Sequence, residues 1–153
     1  MSAQASLSIQ GAGHQENQPP GYFDSSQMSP AHVAALIRWF NQASGPEVWA
    51  LSLTQQCSLL GGIPVRTFSS WKKKEKNGEH IELSRDVIER FSLLLGIYKA
   101  LNLVAPAGAA HRFFGEVNNV PLFDGLSIKG YLLTRGSMLS LYTVRRYLDG
   151  QRG

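Results

Sequence analysis

A chain of 153 residues that is 43% hydrophobic, with three Trp, five Tyr and seven Phe, has enough apolar material for one folded domain or two small ones sharing a core. The net charge of +4 is unevenly spread: residues 1–30 hold Glu16 and Asp24 but no Lys or Arg, and a basic remainder permits nucleic-acid contact without establishing it. The lone Cys57 excludes an intrachain disulfide, no apolar run approaches the roughly 20 residues that span a bilayer, and the N-terminus lacks the basic start and apolar stretch of a secretion signal, so a soluble cytoplasmic protein is expected.

Residues 1–29 are rich in Gln, Ser, Gly and Pro and show no sustained period. They bury too little surface to offset the entropy of ordering, and they read as a disordered leader, Tyr22, Phe23 and Met28 included. Order is expected from Ser29, an N-cap, and Pro30, a proline suited to the first helical position. Val33, Ala34, Leu36, Ile37 and Phe40 then mark the apolar face of a helix ending near Asn41, broken by Ser44-Gly45-Pro46. Val48 and Trp49 pack from a short turn, and Ser52 is the next helix signal.

Residues 54–74, TQQCSLLGGIPVRTFSSWKKK, have the spacing of a helix-turn-helix. Cys57 and Ser58 supply small crossing positions, Gly62 the turn, Ile63 an apolar residue after it, and Phe68 and Trp71 the buried face of the second helix. Val65, Arg66, Ser69 and Ser70 then face outward, with Thr67 near the edge. Arg66 suits a bidentate contact to guanine, and the hydroxyls suit bases or phosphates. Lys72, Lys73, Lys74 and Lys76 would lie along the phosphate backbone. The plainer reading of that run is a solvated helix end favoured by the macrodipole. Gly61 is expected to weaken the first helix of the pair by about 1 kcal/mol, whereas Pro64 is harmless at the start of the second.

After an Asn77-Gly78 turn and an extended link over 79–83, Ser84 caps a long helix with Asp86 and Glu89 near its start. Val87, Ile88, Phe91, Leu94, Leu95, Tyr98 and Leu101 form its stripe, and Leu93, Ile97 and Leu103 add apolar residues off that face. Ala105-Pro106-Ala107-Gly108 is the clear hinge, which divides a helix-turn-helix and dimerisation domain at 30–104 from a second domain at 105–153. A short helix over 109–116 carries Phe113 and Phe114, a turn follows over 118–124, and a helix over 127–133 is stopped by Gly136. In the last helix Met138, Leu139, Leu141, Tyr142, Val144, Tyr147 and Leu148 take helical spacing, with Ser137 as N-cap and Gly150 as a left-handed stop. Apolar density this close to a C-terminus indicates a segment that docks. The fold class is therefore all-α.

Three separated pieces occur in order: NNVPLFDGLS at 118–127, LLTRGS at 132–137 and VRRYLDGQRG at 144–153. Together they resemble the toxin-binding domain of the Xre/MbcA/ParS antitoxins over roughly residues 109–153. Phe113-Phe114 stands where many members have a Trp-Leu pair, and Asn118-Asn119 replaces Pro-Asn. The resemblance implies an Xre-like helix-turn-helix domain followed by a small helical toxin-binding domain. It also implies a partner with a RES-type fold that consumes cellular NAD and is inhibited by direct occlusion. By that resemblance the toxin-binding residues are Arg145, Arg146, Tyr147, Asp149, Gly150, Gln151, Arg152 and Gly153, and the DNA-binding residues are Val65, Arg66, Thr67, Ser69, Ser70, Lys72, Lys73 and Lys74. In the toxin's pocket the Gly153 carboxylate and Asp149 would meet cationic donors, Arg152 an acidic side chain, and Arg145 and Arg146 the rim.

His14, His32, His80 and His111 are scattered without metal-ligand spacing and read as surface or cap residues. No nucleophile constellation or phosphate loop is evident, so neither enzymatic activity nor a cofactor is expected. The partners expected are a RES-domain toxin, double-stranded operator DNA and a second copy of the chain, with repression of its own operon. Two rivals stay open. One is a plain dimeric repressor whose C-terminal domain only dimerises, through Tyr147 and Leu148. The other is a toxin-binding protein whose helix-turn-helix is scaffold alone.

Overall fold

The computed structural model describes residues 28–151. Within them lie seven α-helices and no strand: α1 (Pro30–Ala43), α2 (Leu53–Leu59), α3 (Val65–Lys76), α4 (Arg85–Val104), α5 (Ala110–Gly115), α6 (Ile128–Arg135) and α7 (Met138–Gln151), with a 3-10 turn at Pro121–Phe123 before α6. The fold is all-α among the described residues. Most of the expected leader, residues 1–27, lies outside them. Met28 is part of that expected leader, yet it is half-buried against the core, so packing starts before the first cap.

Serine hydroxyls start most of these helices by accepting otherwise orphaned backbone N–H groups. Ser29 accepts from His32 N–H at 3.3 Å, Ser52 from Gln55 at 3.1 Å, Ser84 from Val87 at 3.2 Å, Ser127 from Gly130 at 2.8 Å and Ser137 from Ser140 at 3.1 Å. His32 and Gln55 reciprocate toward the cap backbone, completing capping boxes. His32 is thus the cap residue expected, although buried.

The long helix α4 is buried on nearly all sides. Phe91, Leu94, Ile97 and Leu101 are essentially inaccessible, and Leu93, expected off the main face, is buried too. The reason is that α4 serves two partners. Phe40 of α1 meets Phe91 edge-on at 5.6 Å between ring centroids, while α7 runs along another flank. Glu89 accepts the Tyr142 hydroxyl, Gly96 faces Arg145, and Val104 shares a groove with Leu148, so α4 and α7 point the same way. Only Leu103 among its aliphatic residues stays well exposed.

Trp49 ties the two halves together. It is buried in the turn after α1 and stacks on Phe114 of α5 at 4.2 Å and 11° between planes. It also meets Trp39 and Tyr98 edge-on at 6.0 and 5.9 Å. One hydrophobic cluster accordingly runs from Val33 to Leu148, on both sides of the Ala105-Pro106 bend. Lys129 of α6 adds a polar tie, donating to the carbonyl of Ala50 at 2.8 Å, where the backbone takes a left-handed φ of 50°.

The last helix departs from expectation at two points. Leu141, Val144 and Leu148 are buried as its spacing requires, but Leu139 is 70% exposed, because its seven apolar residues span more of the helix than one contact with α4 can cover. Ser140 takes a buried place instead, its hydroxyl donating to the Ser137 carbonyl at 2.6 Å. Gly150 is not a left-handed stop: α7 continues through Gln151. Glycine permits the left-handed turn without enforcing it, and the ion pair from Arg145 to Asp149 braces the final turn in helical geometry.

Replacing Trp49 with Ala should cost about 3–5 kcal/mol in chemical denaturation, since a large buried aromatic and three ring contacts are lost together. A loss below about 1 kcal/mol would show that the halves are held by something else. The Tyr142 phenol is pushed up to about 12 by burial first, then by its bond to Glu89 and the charge of that carboxylate. Its neutral form favours the folded state, so this contribution is full below the ordinary tyrosine range near 10 and disappears as pH rises through about 12. A phenolate absorbance titration should therefore lose its latest step in Tyr142→Phe, and an unchanged late step would place the high value on another tyrosine.

Candidate functional site

Two surfaces stand out, one at each end of the sequence pattern. The first is the α2–turn–α3 unit. Leu60 closes α2, and Gly61 and Gly62 follow with φ of 101° and 81°, a backbone that side chains with a Cβ rarely adopt. Gly61 therefore lies in the turn itself and does not weaken α2 as expected. Its missing side chain also leaves room for Arg90, whose Nε would sit 3.1 Å from an added Cβ. Phe68 is wholly buried beneath Phe40 at 6.3 Å and Cys57 is buried, while Ser58 and Trp71, the latter expected on the buried face, are half-buried. Burial pushes the Cys57 thiol up, with Lys72 acting weakly against it.

The outer face of α3 carries Val65, Arg66, Ser69, Ser70 and Lys73 in exposed positions, while Thr67 and Lys74 are half-buried. Lys72 behaves differently from its neighbours. Its ammonium sits 5.0 Å from the Phe68 ring centroid, a cation–π contact that draws it back over the helix. Arg38 of α1 reaches Glu75 at 2.7 Å and fixes the far end of α3. The near end follows Pro64 and has no side-chain cap, so its first N–H groups remain open to a phosphate.

The second surface is a groove of about 410 Å³ between α5, the loop after it and the end of α7. Its bed is Val104, Phe113, Val117, Val120, Tyr147 and Leu148, and Arg112, Glu116, Asn118 and Gln151 give it polar edges. Phe113 is 44% and Val117 70% exposed. The geometry follows from local chemistry. Neighbours on a helix diverge by roughly 100°, so Phe114 can stack on Trp49 only with Phe113 turned outward. Asn118 Oδ1 then accepts the Val120 N–H at 3.0 Å and sets the bend. Phe123 drops into the core beneath Tyr131 and Tyr147, at 5.3 and 5.2 Å, and left-handed Asp124 and Gly125 return the chain to α6. Asp124 pairs with Arg135 across that turn.

The expected toxin-binding residues fall unevenly around this groove. Tyr147 and Gln151 line it, and Arg146, Asp149 and Gly150 are exposed on α7. Arg145 instead leans away over Gly96 of α4, its Nε 3.0 Å from Asp149. Arg152 and Gly153 lie outside the described residues. Val104, Val117 and Gly96 were absent from the sequence-based site. Val117 carried a signal nonetheless, an aliphatic residue in a polar loop directly after two phenylalanines.

Among the described residues, no group of three or more His, Cys, Asp and Glu side chains is placed to hold a metal, and no helix is long and apolar enough to cross a membrane. No family model matches the chain, and no solved structure matches it. A protein of Sinorhizobium fredii (strain NBRC 101917 / NGR234), bearing the name uncharacterized protein y4oB, is 34% identical over 131 residues, which cover 85% of this chain and 90% of that protein. The chain belongs to the same family as y4oB.

Proposed function

We propose that the chain is a cytoplasmic antitoxin that binds a RES-domain, NAD-consuming toxin through its C-terminal end and represses its own operon through α2 and α3. The observation that carries this reading is the open groove beside the end of α7. Exposed Phe113 and Val117 and half-buried Tyr147 make an apolar bed with polar edges, the anatomy of a protein-docking surface. The motif pieces that resemble the toxin-binding domain form its walls and support: the Asn118 bend, Phe123, the Gly136 stop and the last turns of α7.

In this mechanism the groove seats the toxin and α7 directs its end toward the toxin's dinucleotide pocket. Asp149 would meet cationic donors there, and Gln151, Arg152 and Gly153 would complete the occlusion. The DNA-binding half is supported by the buried Phe68, the two-glycine turn and the outward Arg66, Ser69, Ser70 and Lys73. A two-fold dimer would read two half-sites. The rival in which Tyr147 and Leu148 serve only to dimerise gains little support, since Leu148 is already buried within a single chain and Tyr147 packs on Phe123.

Co-expression with a RES-domain toxin tests the first half. Cellular NAD should be preserved by the full chain and lost with a variant ending at Gly150. Loss of NAD in both would remove the antitoxin reading, and preservation in both would move the inhibitory surface from the tail to the groove. For the second half, Arg66→Ala should weaken operator binding by about 1–3 kcal/mol and relax sequence preference, and Lys73→Ala should reduce its salt dependence. Unchanged operator binding in both variants would make the helix pair a scaffold.

A further inference from the structure

The loop that walls the groove has a backbone whose hydrogen-bonding groups find few partners within the chain. Glu116 and Val120 take extended dihedrals, with ψ of 145° and 120°, and no turn or bend lies between them. In an extended run, successive residues point their N–H and C=O groups to opposite edges. One edge is used at Val120, whose N–H donates to Asn118 Oδ1 and whose carbonyl accepts from Phe123, both at 3.0 Å. The other edge belongs to Val117 and Asn119, and neither their N–H groups nor their carbonyls have a partner among the described residues. The backbone of the link at 80–83 is unpaired as well, but that link does not line the groove, whereas Val117, Asn118 and Val120 do.

This free edge decides what kind of chain the groove can seat. Water serves such groups in an open loop, but a partner closing over exposed Phe113 and Val117 would strip it away. A helix brings a backbone already paired within itself, so it would leave the edge covered and unsatisfied, which opposes binding. An extended segment brings free N–H and C=O groups of its own. Its main chain can pair with the edge while alternate side chains enter the groove. The volume of about 410 Å³ agrees, being that of a compact pocket and not of a trough several helical turns long. Phe113 and Tyr147 in the bed suit an aromatic side chain. At the rim, Arg112 and Glu116 make no ion pair among the described residues, so both signs of charge are offered to the flanks of the segment.

We propose that Val117 and Asn119 form a strand-addition edge, and that the groove's occupant is an extended segment of a protein partner carrying a large apolar side chain between charged flanks. The identity of that partner rests on the reading of the groove as a toxin-docking surface, whereas the edge is a property of this chain alone. Asn119 contributes through its backbone, since its side chain does not line the groove.

Binding of the full chain to the RES-domain toxin is measured by calorimetry, and amide exchange in the complex is followed by NMR. The Val117 and Asn119 N–H groups should become protected. Asn119→Pro removes one of these donors and should weaken binding about ten-fold, while Asn119→Ala, which keeps the N–H, restores it. The fold should accept the proline, because the Asn119 N–H has no partner to lose among the described residues. Freely exchanging amides in the complex, wild-type affinity in Asn119→Pro, or an equal loss in Asn119→Ala overturns strand addition and leaves the docking reading standing. If the toxin does not bind at all, the docking reading fails and a titration without toxin decides the edge. Its probe is the peptide acetyl-Lys-Val-Phe-Val-Glu-amide, compared with the same peptide N-methylated at each central residue. A saturable shift of the Val117 and Asn119 amide resonances that the methylated peptide fails to produce supports the edge. No saturable shift, or equal shifts with both peptides, overturns it.

Discussion

The constraint on which this structure depends is that α4 has no solvent face to spare. A helix buried on nearly all sides must be covered by different elements on different sides. Here α1 supplies one cover through Phe40, and α7 supplies another through Leu141, Val144 and Leu148. Neither half of the chain could bury its own apolar stripe without this helix. Trp49 reinforces the arrangement from outside, because its ring is sandwiched between residues of α1, α4 and α5 rather than within one half. The groove at the C-terminal end exists only because this stack fixes α5 at a set angle against α4, turning Phe113 outward while Phe114 is spent on the indole.

The same constraint decides which polar contacts occur between the halves. Packing α7 along α4 brings Tyr142 to Glu89 and Arg145 to Gly96, and both groups accept partial burial in return for defined geometry. A partly buried tyrosine–carboxylate bond is worth about 1 kcal/mol, small against the aliphatic packing beside it. Its effect is on register. Sliding α7 by one residue would rotate it by roughly 100° and turn Leu141, Val144 and Leu148 away from α4 while parting Tyr142 from Glu89. Polar and apolar contacts thus select one alignment of α7, and with it one position for Tyr147 and Gln151 on the groove.

Local chemistry was legible in the sequence and distant chemistry was not. The caps at Ser29, Ser52, Ser84 and Ser137, the Gly136 stop and the inward Phe68 depend on residues within a turn or two of one another, and spacing alone placed them; Trp71, expected buried beside Phe68, is only partly covered, and Ser127, read as the first residue of its helix, is that helix's cap. The Gly61-Gly62 turn was half legible: a glycine pair announced a break, but only the backbone showed that both residues need left-handed φ, so that Gly61 belongs to the turn and not to α2. Gly150 misled for the complementary reason, because a glycine near a helix end is permissive and the ion pair that holds the last turn was not visible as a constraint. The groove drew its residues from Val104 to Gln151, and no periodicity links those positions. The place Gly96 leaves for Arg145 depends on a side chain 49 residues away whose own motif pointed toward a partner.

The two candidate surfaces sit on one rigid frame, and that bears on how they would work together. Phe68 beneath α3 packs on Phe40, Phe40 packs on Phe91, and Val104 forms part of the groove. Phe91 and Val104 belong to the same uninterrupted helix, so the support of the helix pair and the wall of the groove stand about 20 Å apart on one rod. Coupling between distant sites requires an element with two arrangements that both ligands bias. Neither a buried helix packed on several sides nor an aromatic stack offers a second arrangement at low cost. Occupying the groove should therefore leave the shape of α3 unchanged, and under the proposed function any influence of a bound partner on DNA would have to arise from how the complex arranges or obstructs whole copies of the chain. On that proposal, regulation would be a matter of assembly geometry, set by the fixed distance along α4.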